Sequence, residues 1–141
     1  MSPIPVPHIS QVGILAKSLL HAATPHLIEL EAWLTARGLQ PVFEADTAAL
    51  MPPSAGRAVL GKAELAVDVD MVLVLGGDGT LIGMADRIAE AGSGIPILGV
   101  NFGSLGFLTE VTLPELHRSL ENALEGRAYI EERMMLRAGT S

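Results

Sequence analysis

Five consecutive residues, Gly76-Gly77-Asp78-Gly79-Thr80, have the make-up of a turn that handles phosphate. Glycines let a backbone approach a ligand closely and turn its N–H groups toward phosphate oxygens, and a helix starting there adds partial positive charge. An aspartate in such a loop would repel phosphate unless it had a task of its own. Asp78 could accept a proton from a hydroxyl nucleophile, or hold a metal that bridges phosphates. The competing reading is structural: a tight strand-to-helix turn in which Asp78 caps the helix.

A second constellation runs from Gly99 to Glu110, Gly-Val-Asn-Phe-Gly-Ser-Leu-Gly-Phe-Leu-Thr-Glu. It follows the next strand of the pattern, so its loop should lie beside the first on the same sheet edge. Phe107 and Leu108 could pack there against a flat ring, or the segment could be an ordinary loop dipping into the core. Two other matches fail on context. Gly56 to Ala63 has phosphate-loop spacing, but Ala63 stands where a Ser or Thr hydroxyl should bind magnesium, and Met51-Pro52-Pro53-Ser54 before it is no buried strand. Gly77-Asp78-Gly79 begins like a dinucleotide fingerprint, yet Ile82 replaces its third glycine and Asn101, not an acid, closes the next strand. His8, His21, His26 and His117 have no metal-ligand spacing and read as surface residues.

The elements that must position these loops follow from apolar periodicity. Val12 to Ala16 is a strand-length apolar run. Thr24 before Pro25 predicts a helix start, Leu27, Leu30 and Leu34 give one helical face, and Gly38 is a natural end. Pro41 to Glu44 reads as a second strand, and residues 46 to 69 carry no clear pattern. Met71 to Leu75, apolar without alternation, predicts a strand buried on both faces of a parallel sheet. Leu81, Met84, Ala85 and Ile88 mark a helix ending near Gly92, and Ile95 to Val100 is another buried strand. Thr112-Leu113-Pro114-Glu115 has capping-box spacing, opening a helix on Leu113, Leu116, Leu120 and Leu124 that runs to Gly126. Ala128 to Arg137 alternates as a final strand. Strands alternating with helices predict a parallel α/β sheet.

Composition narrows the function classes. The chain has 141 residues, 49% hydrophobic and 18% charged, where average chains carry about 25% charge. It is long enough for one domain with a proper core. It has no Cys, which removes disulfide scaffolds, thiolate zinc sites and cysteine nucleophiles. Nine Lys and Arg, spread singly, stand against sixteen Asp and Glu, a net charge of −7. Nucleic-acid surfaces need clustered positive charge, so no such partner is expected. Met1 to Ser10, with three prolines and no basic residue, reads as a flexible arm and no signal peptide. The charge-free stretch Ala91 to Thr109 holds too many Gly and Pro for a membrane span, so the expectation is a cytoplasmic protein without a membrane partner. The unusual apolarity points to surface covered by a further domain or subunit, and a homo-oligomer is expected.

At these two loops the sequence resembles a known family, the NAD kinases. Asp70 to Thr80 looks like that family's strand and GGDGT motif, which diacylglycerol and sphingosine kinases share and phosphofructokinases share loosely. Gly99 to Glu110 resembles the G-[IV]-N-x-G-x-L-G-F-L-T-[ED] segment that singles out NAD kinases. The resemblance implies an open, mostly parallel sheet flanked by helices, Rossmann-like or phosphofructokinase-like. It would span residues 11–138 as the N-terminal domain of a two-domain enzyme whose C-terminal, β-rich domain is missing here. It implies transfer of the ATP γ-phosphate to the 2′-hydroxyl of the adenosine ribose of NAD, giving NADP, with a divalent metal such as magnesium. Asp78 would be the proton acceptor and touch NAD with Gly79, while Phe107 and Leu108 would lie at the NAD site. Gly76, Gly77, Thr80 and Asn101 would bind the ATP phosphates, and no residue is assigned as a metal ligand. Some members carry Arg or Lys where Gly83 stands, so that contact is not expected here. The alternatives are a lipid or sugar kinase with the same motif, and a non-catalytic nucleotide-binding module. The family's Asn-Glu or Asn-Asp pair is absent, since Phe102 and Ala123 follow Asn101 and Asn122. Residues 1–141 alone are therefore expected to show no NAD phosphorylation, and turnover by the purified monomeric chain would overturn that.

Overall fold

The computed structural model describes residues 9–101, together with residues 111, 112, 118 and 121. Six strands form one sheet: β1 (Gln11–Ala16), β2 (Gln40–Glu44), β3 (Ala58–Leu60), β4 (Met71–Gly76), β5 (Ile97–Asn101) and β6 (Val111–Thr112). Their order is β3-β2-β1-β4-β5-β6 and every neighbouring pair is parallel. Among the described residues four α-helices follow these strands: α1 (Thr24–Ala36), α2 (Ala45–Ala48), α3 (Lys62–Asp68) and α4 (Asp78–Ala91). This is the expected α/β architecture, parallel throughout the described strands.

Side-chain alternation along each strand sorts the core into two layers. Val12, Ile14, Phe43, Met71, Leu73, Leu75, Leu98 and Val100 pack on one side with Leu27, Leu30 and Leu34 of α1. Leu15, Val42, Val72, Val74 and Ile97 pack on the other with Leu65 of α3 and Leu81, Met84, Ala85 and Ile88 of α4. All six residues of β4 are buried, which is why its sequence does not alternate. Leu65 and Val69 side chains lie directly over Gly13, where an added Cβ would sit 3.0 Å from each.

Polar contacts lock the register. The Asp70 carboxylate accepts bonds from Ser10 N (2.8 Å), Ser10 Oγ (3.0 Å) and Gln11 N (2.8 Å), and Asp70 N donates to Gln11 O at 2.9 Å. Ile9 is 8% exposed and belongs to the core cluster, and residues 1–8 of the expected arm lie outside the described residues. Helix α1 ends as predicted. Gly38, at φ +77°, donates to Thr35 O (3.0 Å) while Leu39 N reaches back to Leu34 O (3.0 Å), closing a Schellman motif.

Its start differs from the expectation. A 3-10 turn, His21–Ala23, leads into α1 and the cap is Ala23, because the Thr24 hydroxyl instead donates to Leu50 O at 2.7 Å. The unpatterned stretch 46–69 holds β3 and α3, and Arg57 ties it to α1 through Glu31 (2.7 and 3.0 Å) and to Pro52 O (2.6 Å). The phosphate-loop look-alike at 56–63 is taken up by strand β3 and the start of α3. Thr112 closes β6. Of the helix predicted after it, Arg118 and Glu121 are helical, and Glu121 pairs with Arg37 at 3.1 Å. The rest of that helix and the strand predicted at 128–137 lie outside the described residues.

At the carboxyl end of β1 a buried polar group takes over where pairing with β2 stops. Glu44, 3% exposed, accepts bonds from Asp46 N (3.0 Å), Thr47 N (3.1 Å) and Thr47 Oγ1 (3.0 Å). Thr47 Oγ1 in turn accepts from Ala16 N at 2.8 Å. Thr47→Val keeps the shape but orphans the Ala16 amide and one acceptor, each worth about 1–3 kcal/mol when buried. Denaturant unfolding should show a loss of that order, and Thr47→Ser should lose clearly less.

Candidate functional site

The strand order reverses between β1 and β4: the chain first builds outward to β2 and β3, then returns to the other side of β1. Ligands of open parallel sheets bind beyond the carboxyl ends of the strands at such a switch point. Three ends meet there. Lys17 N extends the β1 ladder by donating to Leu75 O at 2.9 Å, and Gly76 is level with Asn101 across β4 and β5.

The junction from β4 to α4 is shorter than the five-residue loop expected from sequence. Gly76 is still strand and Gly77, in extended backbone, is the helix N-cap. Asp78, Gly79 and Thr80 already belong to the first turn of α4. Asp78 therefore does not cap the helix; it sits one residue inside it, where its negative charge complements the helix dipole. Intrahelical bonding begins with Leu81 N to Gly77 O at 3.2 Å, and the amides of a helix's first turn find no partner inside the helix. Asp78 and Thr80 are half-buried and Gly79 is exposed.

Gly76 is the crowded glycine. A Cβ built on it would meet Thr80 Oγ1 at 3.1 Å and Lys17 Cβ at 3.3 Å, with φ at +158°. Gly77 and Gly79 have open space at that position, with nothing within 4 Å. Among the described residues nothing packs at either position, which leaves the approach to the α4 N-terminus clear of them.

Beside this junction lies a cavity of about 350 Å³, within the roughly 300–1,000 Å³ of small-molecule sites. Leu15, Ala16, Lys17 and Ser18 at the end of β1 line it, with Lys62 of α3 and Gly79, Thr80, Gly83, Met84 and Arg87 of α4. Among the described residues no group of three or more His, Cys, Asp or Glu could hold a metal ion. No helix among them is long and apolar enough to cross a membrane.

The family model described as the ATP-NAD kinase N-terminal domain matches residues 12–128. The chain belongs to the ATP-NAD kinase family. A NAD kinase of Geobacter sulfurreducens is 53% identical over 108 residues, which are 77% of this chain and 36% of that protein. A NAD kinase of Geobacter sp. (strain M21) is 43% identical over 130 residues, 92% of this chain and 44% of that protein. The chain thus spans less than half the length of these curated relatives. In fold it is similar to yeast NADH kinase, solved in complex with NADH, at a TM-score of 0.68 and 17% identity, covering 89% of this chain and 40% of that one.

Of the residues that the family resemblance singles out, Gly76, Gly77, Asp78, Gly79 and Thr80 lie together at the switch point, and the Asn101 backbone lies level with Gly76. Phe107 and Leu108 lie outside the described residues. Sequence reasoning missed Lys17, Ser18, Lys62 and Arg87, which line the adjacent cavity. Lys17 carried a local signal, since it directly follows a buried strand, and Lys62 stood within the phosphate-loop look-alike at 56–63 that failed on context. The glycines are separable by experiment. Gly76→Ala should cost about 1–3 kcal/mol through overpacking against Thr80 and Lys17. Gly79→Ala, inside a helix, should leave stability unchanged or raise it by about 0.5–1 kcal/mol while weakening nucleotide affinity. Thermal melts beside ATP and NAD titrations check both, and a Gly79 variant that melts early yet binds normally would make that glycine structural.

Proposed function

We propose that the intact protein is a NAD kinase that transfers the γ-phosphate of ATP to the 2′-hydroxyl of the adenosine ribose of NAD. The observation that carries this reading is the position of the GGDGT residues at the switch point, in a chain of the ATP-NAD kinase family. The ribose hydroxyl oxygen attacks the γ-phosphorus and a new O–P bond forms. The bond to the β-phosphate oxygen breaks, and ADP leaves with its electron pair. The hydroxyl proton passes to the Asp78 carboxylate. Such a reaction depends mainly on positioning and charge stabilisation, with the base adding typically about 100- to 10,000-fold.

Gly76, Gly77, Thr80 and Asn101 bind the donor phosphates in this reading, through backbone amides and short polar side chains that leave room for them. Asp78 and Gly79 face the acceptor ribose, and Phe107 and Leu108 pack at the NAD ring system. A divalent ion, magnesium by its taste for oxygen ligands, fits a site with one carboxylate. Magnesium is typically held by one or two carboxylates plus substrate phosphates, not by an all-protein cage. Asp78 and the Thr80 hydroxyl would hold it, and when bound it would neutralise charge on the transferring phosphoryl group. The reading extends to a cytoplasmic homo-oligomer in which a second, β-rich domain completes the NAD pocket, supported by the low charge of this chain and its partial span of the relatives.

Asp78→Asn preserves shape and removes the base. In the intact protein kcat should fall by about 100- to 10,000-fold, equivalent to about 2.7–5.4 kcal/mol of barrier. NAD affinity should change much less, because an amide still hydrogen-bonds a hydroxyl. Steady-state kinetics beside NAD titration decide it: near-normal kcat removes Asp78 as the base, and loss of affinity alone makes it an anchor.

A further inference from the structure

We infer that Lys62 and Arg87, together with Lys17, form a cationic clamp for the polyphosphate tail of the phosphoryl donor. The clamp rests on the phosphoryl-transfer reading above and adds residues that belong to neither family motif. The chain has only two lysines, and both line the cavity beside the GGDGT turn. With Arg87 they gather three of the nine Lys and Arg of a chain whose net charge is −7. They arrive from three different elements: Lys17 from the end of β1, Lys62 from the first position of α3, and Arg87 from the third turn of α4.

Among the described residues no carboxylate lines this cavity, although α3 and α4 carry Glu64, Asp68, Asp86 and Glu90. Among the described residues the ion pairs are Arg37–Glu121 and Arg57–Glu31, so none of the three cations is neutralised by a described neighbour. A polyanion approaching an acidic protein is repelled at long range, and clustered cations in a concave site reverse the local field. Phosphate is also the anion that Lys meets as a point charge and Arg as a planar fork.

The fold explains how the cations come together. Lys17 follows Leu15 by two residues, so the alternation of β1 sends both toward the α3–α4 layer. Leu65, packed over Gly13, fixes the first turn of α3 on that layer and with it Lys62. Arg87 lies one turn beyond Gly83 on the same face of α4. A Cβ at Gly83 would meet nothing within 4 Å, so the gap left by that glycine gives a long side chain from Arg87 access to the cavity. Lys62 belongs to the segment whose phosphate-loop spacing failed on context. Its backbone forms no such loop, yet its ammonium group serves phosphate from the start of α3.

The test uses the intact protein, with inorganic tripolyphosphate as a probe free of base and ribose. Calorimetric titration should show tripolyphosphate binding that weakens with salt and falls tenfold or more in Lys62→Ala/Arg87→Ala. The same variant should raise KM for ATP by a similar factor and leave NAD affinity unchanged, while Lys62→Arg restores most of the loss. Both side chains are solvent-accessible, and an unchanged melting temperature verifies the fold. Wild-type tripolyphosphate affinity and ATP KM in the folded double variant would overturn the clamp. So would an equal loss of NAD affinity, which would make the effect general. If the wild type phosphorylates no NAD but binds tripolyphosphate through these residues, the clamp stands and the NAD kinase reading falls.

Discussion

The parallel pairing of β1 with β4 is the constraint on which the rest of the structure depends. It is held at both ends: the Asp70 carboxylate gathers the amides of Ser10 and Gln11 at the start, and Lys17 N closes on Leu75 O at the finish. Between them both strands are buried on both sides, so a slip of one residue would exchange the two core layers wholesale. The same register sets Lys17 beside Gly76 and Thr80. Position at the site is thus inherited from the hydrophobic core.

Polar groups in this fold divide by burial. The Glu44–Thr47–Ala16 group is almost sealed from water and every described donor in it is matched, as buried polar atoms must be. It finishes the carboxyl end of β1 where strand pairing gives out. Nearby, Lys17, Lys62 and Arg87 are accessible to solvent and form no ion pair with a described carboxylate. The first group stabilises the scaffold, and the second lines an open cavity. Arg57 shows the contrast within one residue type: its guanidinium, held by Glu31 and Pro52 O and stacked 5.7 Å from the Phe43 ring centre, is spent on tying a long connection to α1.

Glycine plays two separate roles within one motif. Gly76 is required by the protein itself, since Thr80 and Lys17 crowd it. Gly77 and Gly79 border space that no described residue fills, which suits a surface to be covered by something else. A single motif thus contains a packing requirement and an approach path. The two respond differently to the same substitution because only one of them is already in contact.

Much of this was determined by the amino-acid sequence alone. Strands β1, β2, β4 and β5 and helices α1 and α4 were legible because buried apolar residues recur at the period of their element, and Gly38 and Gly92 mark the helix ends. The GGDGT turn stood out in the sequence because its glycines follow a buried strand and let backbone come close to a ligand, while a plain strand-to-helix turn fits the same residues. Strand β3 was not legible: it is three residues long and its Val59 is 44% exposed, so it has no periodic signature. The short α3 after it was hidden for the same reason. Tertiary structure alone decided that Asp78 lies inside α4 and not in a loop, since the strand and helix propensities meet at Gly77 without a gap. It alone decided that Lys17, Lys62 and Arg87 share a cavity. They are distant in sequence and unrelated in spacing, and only the return of the chain across β1 folds their three elements onto one edge of the sheet.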